Sequence, residues 1–151
     1  RVVGPCRPGL AVDNTTAGST AKLALAYCYY PTANCNSSAC KLNVGYISSV
    51  NGGGAWSAPT QLVGPMTLSW LPNTSQGRMV GDYISTSYVG GTARPVFALA
   101  SAPSGTTFSQ FMDSTASGLF SGAAVVTAGA DQPVPGAASD HAAPQAPITH
   151  R

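Results

Sequence analysis

Apolar residues in the first half of the chain fall in short runs, each closed by a cluster of Gly, Pro, Asn, Ser or Thr. That rhythm predicts β-strands joined by hairpin turns. Residues 9–13 form a short apolar run, followed by the turn-rich stretch Asn14-Thr15-Thr16-Ala17-Gly18-Ser19-Thr20. Across 22–30, Leu23, Leu25, Tyr27 and Tyr29 share one face, with Ala24, Ala26, Cys28 and Tyr30 on the other. Both faces are apolar, as in a strand held between neighbouring sheets. Leu42, Val44 and Tyr46 then alternate with Asn43, Gly45 and Ile47, the run ends in Asn51-Gly52-Gly53-Gly54, and 60–63 supplies a short outer strand. Four strands joined by hairpins are the content of one β-propeller blade, so 8–64 is expected to form one.

The same order begins again after Pro65. Residues 66–70, 78–85 and 94–100 are the next strand candidates, separated by turns at 72–77 and at Gly90-Gly91, with no fourth strand evident. This predicts an incomplete second blade over 65–112. The stretch 44–57 aligns without gaps on 96–109, 52 residues further on, close to the ~40–50-residue period of propeller blades. In both copies an apolar strand precedes a glycine turn, and an aromatic residue, Trp56 or Phe108, follows the matched glycine, Gly53 or Gly105, three positions later. From Gly118 onward Ala, Pro, Gly and Asp dominate, with Pro133, Pro135, Pro144 and Pro147 blocking regular structure. The expected division is a partial propeller over 1–117 and a disordered tail over 118–151.

Composition agrees with an all-β fold and removes several functions. Only 8% of the 151 residues are charged, so helix-favouring Glu, Lys and Arg are scarce. The seven basic residues are scattered, leaving no clustered surface for nucleic acid. No apolar run approaches the ~20 residues that span a bilayer. The chain opens at Arg1 without an initiator Met or a signal-peptide pattern, and so reads as processed, truncated or cut from something longer.

Four cysteines bear on the compartment. Cys35 and Cys40 flank the turn-forming Asn36-Ser37-Ser38-Ala39, where a disulfide would pin the ends of a hairpin and favour an oxidising, secreted location. Cys6 and Cys28 face each other only if the flanking strands pair about Ala17, and two free buried thiols are the alternative. No metal site is expected, because the two histidines, His141 and His150, both lie in the tail. No cofactor motif is present. Gly52-Gly53-Gly54 is followed by neither a Lys nor a helix, and there is no G-x-S-x-G elbow.

Ser49-Val50-Asn51-Gly52-Gly53-Gly54-Ala55-Trp56 resembles the Asp-box, S-x-D-x-G-x-T-W, that recurs in sialidases and related propellers. Asn51 stands at the acidic place and Ala55 at the Thr place; the second copy, 101–108, keeps Ser101 and Gly105 but has Pro103 and Phe108. The pattern suits a tight turn: a short polar side chain bonds nearby amides, Gly53 supplies a positive φ, and Trp56 anchors the bend. Segments such as Pro8-Gly9-Leu10-Ala11-Val12-Asp13, Trp70-Leu71-Pro72-Asn73-Thr74 and Arg78-Met79-Val80-Gly81-Asp82-Tyr83-Ile84 extend the likeness over most of 8–112, to the C-terminal blades of secreted sialidase-like proteins with bacterial neuraminidase repeats.

That resemblance implies a fragment of a secreted glycoside hydrolase of exo-α-sialidase type. Such enzymes use a Tyr nucleophile assisted by Glu, an Asp acid/base and arginines that clasp a carboxylate. The chain has no Glu, so the set is incomplete here. The groups it offers are Tyr83 and Asp82 as catalytic candidates and Arg78 and Arg94 as substrate-binding candidates, against a plainer reading in which Arg78 and Asp82 brace one strand face. The alternative function is a non-catalytic propeller that binds glycans or proteins, with Tyr27, Tyr29, Tyr30, Trp56 and Trp70 serving packing or sugar stacking. In either case the expected partners are a glycan and either missing blades or another copy of the chain, because each repeat buries its core only against neighbours.

Overall fold

A computed structural model describes residues 7–32, 35, 37–75, 77–81, 84–119 and 122. The described chain is all-β, with helical geometry confined to two 3-10 turns, Gly18–Thr20 and Leu68–Trp70. A four-stranded antiparallel sheet comes first, its strands lying side by side in chain order: β1 (Gly9–Val12), β2 (Leu23–Tyr29), β3 (Lys41–Ser49) and β4 (Thr60–Thr67). Gly9 pairs with Ala26 and Val12 with Leu23, while Leu23 pairs with Ser49 and Tyr29 with Asn43. The β1–β2 turn is closed by Asp13, whose Oδ1 receives the amide of Thr15 at 3.0 Å and its hydroxyl at 2.7 Å. The Asp13 amide reaches across to Lys22 O at 2.9 Å. An Asp at this place lets a side chain take up amides that the ladder leaves open.

Strand alternation sorts this sheet into two apolar faces. The inner face carries Ala11, Ala24, Ala26, Val44 and Tyr46, all buried. Its small residues let a second layer approach closely. A Cβ on Gly9 would lie 2.4 Å from the carbonyl oxygen of Ile84, so only glycine fits where the layers meet.

Beyond β4 the chain makes the Leu68–Trp70 turn, a minimal hairpin of β5 (Asn73–Thr74) and β6 (Gly77–Arg78), and then a three-stranded antiparallel sheet, β7 (Ser85–Val89), β8 (Thr92–Ser104) and β9 (Thr107–Ser114). The two larger sheets meet along β1 and β7, where Ile84 N donates to Arg7 O at 3.3 Å and the Thr86 hydroxyl to Gly9 O at 2.9 Å. One core spans them: Ala26, Leu42, Val44 and Met66 pack with Leu68, Leu71, Val80, Ile84, Phe97, Leu99 and Ala100. Burying a leucine of this kind contributes about 1.5–3 kcal/mol, and Leu42, Leu68 and Leu71 are among the most fully enclosed side chains. After β9, Leu119 exchanges two backbone hydrogen bonds of 2.8 Å with Ala93, and Gly122 N reaches Ser48 Oγ at 3.3 Å.

The strand expected over 66–70 is instead the end of β4 followed by the 3-10 turn. Leu68 and Leu71 are both wholly buried, and a turn with three residues per repeat puts both on one side, which an extended strand cannot do. Of the strand expected over 78–85, Arg78 ends β6 and Ser85 begins β7, with Met79, Val80 and Gly81 outside regular structure. A strand also follows β8, namely β9, which the sequence pattern did not reveal. The expected tail boundary at 117 precedes residues still tied to the fold, Leu119 and Gly122. Residues 120, 121 and 123–151 lie outside the described residues.

Candidate functional site

The bend that follows β3 is built on two side chains. The Ser49 hydroxyl donates to Asn51 Oδ1 at 2.9 Å and accepts the amides of Asn51 and Gly53, at 3.3 and 3.0 Å. Asn51 Oδ1 also receives the amide of Ala55 at 2.7 Å. Gly52 and Gly53 take φ values of +68° and +90°, where a side chain is strained. A Cβ on Gly53 would meet Leu23 Cδ1 at 3.4 Å and the Trp56 ring at 3.9 Å, so the half-buried Trp56 closes the bend beside Leu23. Ser57 completes it, with its amide on Ser48 O at 2.7 Å and its hydroxyl receiving Ser48 N at 3.0 Å.

The second glycine bend differs. β8 runs on through Ser104, which pairs with Thr107, so Gly105 and Thr106 form a two-residue hairpin turn, with Gly105 at φ +59°. Ser101 lies inside the ladder and its hydroxyl bonds that of Ser109 at 2.9 Å. Phe108 is 44% exposed. The geometric equivalence expected for Trp56 and Phe108 is not found. Pro103 offers no side-chain acceptor at the place of Asn51, and the β8–β9 ladder reaches the turn through a register shift between Ser101 and Ser104.

Among the substrate-binding candidates, the Arg78 guanidinium donates to Leu71 O at 2.6 Å, tying the β5–β6 hairpin to the core turn. Arg94 is exposed on β8 opposite Ser87. The catalytic candidates Asp82 and Tyr83 lie outside the described residues. The described hydrogen bonds therefore join neither arginine to a second candidate.

The outer face of the four-stranded sheet holds a cluster that sequence reasoning brought out only in part. By register, Val12, Leu23 and Ser49 form one row, Leu10, Leu25 and Ile47 the next, Tyr27, Gly45 and Gln61 a third, and Tyr29 with Asn43 a fourth. Leu10 and Val12 are more than half exposed. The Tyr27 and Tyr29 rings have centroids 5.7 Å apart and are tilted by 46°. Gly45 leaves room for both: a Cβ there would meet the Tyr27 ring at 2.9 Å and the Tyr29 ring at 3.0 Å. Gln61 Oε1 receives Asn43 Nδ2 at 3.0 Å and the Tyr29 hydroxyl at 3.4 Å, while Gln61 Nε2 donates to Gly64 O at 3.2 Å. Lys41 stands at the rim, its Nζ 2.6 Å from Thr67 Oγ1. Tyr27 and Asn43 are buried; Tyr29 is half-buried, and Gln61 and Lys41 are exposed. The signal for Asn43 and Gln61 lay in pairing between strands, which alternation within one strand does not carry. Burial pushes the phenols of Tyr27 and Tyr30 above their ordinary pKa.

Cys35 and Cys40 are joined by a disulfide with Cα atoms 5.8 Å apart. Its loop is held to the core turn by Leu68 N on Cys40 O and Ser69 N on Ser38 O, both at 2.8 Å. Cys28 is also disulfide-bonded, and Cys6 lies outside the described residues. Among the described residues no three His, Cys, Asp or Glu side chains gather as metal ligands, and no helix is long and apolar enough to cross a membrane. Compared with protein-family models, curated proteins and solved structures, the chain has no match in any of the three.

Proposed function

We propose that this chain is a secreted, non-catalytic glycan-binding module whose β1–β4 sheet is a propeller-type blade, with its ligand on the outer face of that sheet. One observation carries the reading: the half-exposed Tyr29 ring is braced by Tyr27 over Gly45 and flanked by the exposed amide of Gln61, which the buried Asn43 holds in place. A sugar presents an apolar C–H face and a rim of hydroxyls. An aromatic ring receives the first, while amide groups donate to and accept from the second. Lys41 at the rim favours a carboxylated sugar, such as the sialic acid to which the Asp-box resemblance points.

The Ser49–Asn51 bend and the in-order four-stranded meander support the propeller relationship. The disulfides support an oxidising compartment. Hydrolysis has less support. The chain contains no glutamate and the Arg78 guanidinium serves a backbone carbonyl, so a hydrolase of the resembled type would take groups from another polypeptide.

The test is glycan binding by the full chain, measured on an array of neutral and sialylated oligosaccharides and then by calorimetry. Binding lost in Tyr29→Ala, with the melting transition unchanged, is the expected result. Failure of every glycan to bind, or retention of full affinity by Tyr29→Ala, overturns the reading. Release of a fluorogenic aglycone by the chain alone would replace it with an enzymatic one.

A further inference from the structure

Asn51 is the one asparagine of the chain that is followed by glycine. An asparagine side-chain amide is open to attack by the backbone nitrogen of the next residue, and glycine, lacking a Cβ, shields that nitrogen least. Both residues are exposed. The fold nevertheless keeps both reacting groups engaged. Gly52 N donates to Ala21 O at 2.9 Å, just past the Gly18–Thr20 turn. Its proton is thereby held, and its lone pair stays in the planar peptide bond. Gly52 is also pressed onto that turn: its φ is +68°, and a Cβ there would lie 2.5 Å from Gly18 O. On the other side, Asn51 Oδ1 is pinned by the Ser49 hydroxyl at 2.9 Å and the Ala55 amide at 2.7 Å, so Cγ is not free to swing toward Gly52 N.

We infer that Asn51 is a deamidation site gated by its own bend, closed while Gly52 stays clasped to Ala21 and reactive once that clasp opens. Gly52 N then gives up its proton and bonds to Asn51 Cγ, the Cγ–Nδ2 bond breaks, and ammonia leaves carrying that proton. Water, the sole co-reactant, opens the resulting cyclic imide at either carbonyl. Breaking the new bond to Cγ leaves an ordinary aspartate, which keeps an acceptor for the Ser49 hydroxyl and the Ala55 amide. Breaking the bond to the main-chain carbonyl leaves isoaspartate, whose backbone is longer by a carbon. Gly52 N then no longer falls on Ala21 O, and the bend cannot close in its former register. Opening this surface bend is a local event that leaves the shared core in place. The inference is independent of the glycan-binding reading, none of whose residues takes part.

The test follows the peptide containing Asn51 by mass spectrometry while the full chain stands at neutral pH in buffer or in urea, with isoaspartate scored by methyltransferase labelling. The folded wild type should react at least about tenfold more slowly than the unfolded chain. Two variants then separate opening of the bend from loss of the whole fold. Ser49→Ala removes one pin from Asn51 Oδ1, whereas Gly9→Ala strains the seam between the sheets, away from the bend. At urea concentrations that match their unfolded fractions, Ser49→Ala should deamidate several-fold faster. Equal rates for folded and unfolded wild type, or a Ser49→Ala rate no higher than that of Gly9→Ala, overturn the proposal. The wild-type comparison needs no variant, so it decides even where a substitution prevents folding.

Discussion

Asn51 Oδ1 accepts the Ser49 hydroxyl at 2.9 Å, so the two side chains that build the bend after β3 hold each other. The same hydroxyl accepts two amides, and Ser49 is 2% exposed. Ser49→Ala strands those amides away from water and should cost about 1–3 kcal/mol. Asn51→Asp keeps the acceptor and gives it a charge, which strengthens each bond it receives. It should leave stability equal or higher. The urea midpoint should therefore fall for Ser49→Ala and hold or rise for Asn51→Asp, and equal losses would remove the side-chain account of the bend.

Gly9→Ala tests the seam between the sheets. The added carbon would fall 2.4 Å from Ile84 O and 2.8 Å from Ile84 C, both backbone atoms with little freedom to yield. Overpacking of this kind typically costs about 1–3 kcal/mol. Gly105→Asn serves as the control: nothing lies within 4 Å of the Gly105 Cβ position, and asparagine tolerates its φ of +59°. Thermal melts should show a clear loss for the first and little change for the second.

Removing the Cys35–Cys40 bridge by a double alanine substitution should lower stability by about 2 kcal/mol, the chain-entropy value for so short a loop. Substitution isolates this bridge, since a reductant would also open the one at Cys28. Denaturant unfolding of the double variant, with the remaining cysteines kept oxidised, gives the number.

Asp13 and two tyrosines couple the stability of the fold to pH. The Thr15 hydroxyl and then the Thr15 amide hold the Asp13 carboxyl below its ordinary pKa. A depressed folded-state pKa gives stability that is present above the unfolded value and is lost as pH falls through the folded one. Below about pH 4 the wild type should therefore lose stability that Asp13→Asn never had, and their curves should converge. At the alkaline end the buried phenols of Tyr27 and Tyr30 favour their neutral forms. Their contribution is full below the ordinary phenol pKa of about 10 and fades as pH rises through the raised values. Ultraviolet titration should show Tyr27 and Tyr30 ionising above the ordinary phenol range, and melting temperature should fall over the same range.

The first sheet was legible because its strands alternate and its turns carry Asn, Gly and Ser at each reversal, from Asn14 to Gly54. The Ser49–Asn51 bend was legible for the same reason: its chemistry is local. β7 and β9 were not. Ser85-Thr86-Ser87-Tyr88-Val89 has one face of serine and valine that stays exposed, and β9 buries neither face, so no period of two marks either. Both are strands because β8 offers them its two edges, a relation between distant segments. The segment 66–70 misled through its apolar content, which serves a turn that buries Leu68 together with Leu71. The Tyr29–Gln61–Asn43 cluster joins residues up to 32 positions apart, and only strand register brings them to one place.

Because the two larger sheets complete one core and touch through the β1–β7 backbone, neither half of the chain has a finished interior by itself. The covalent link between them passes through the short β5–β6 hairpin, in which residues 73–75 are exposed. A nick there leaves every core contact in place, so two polypeptides cut at that hairpin and made together should find each other and re-form the intact fold. The molecule then becomes a two-part reporter whose assembly is driven by its own interior.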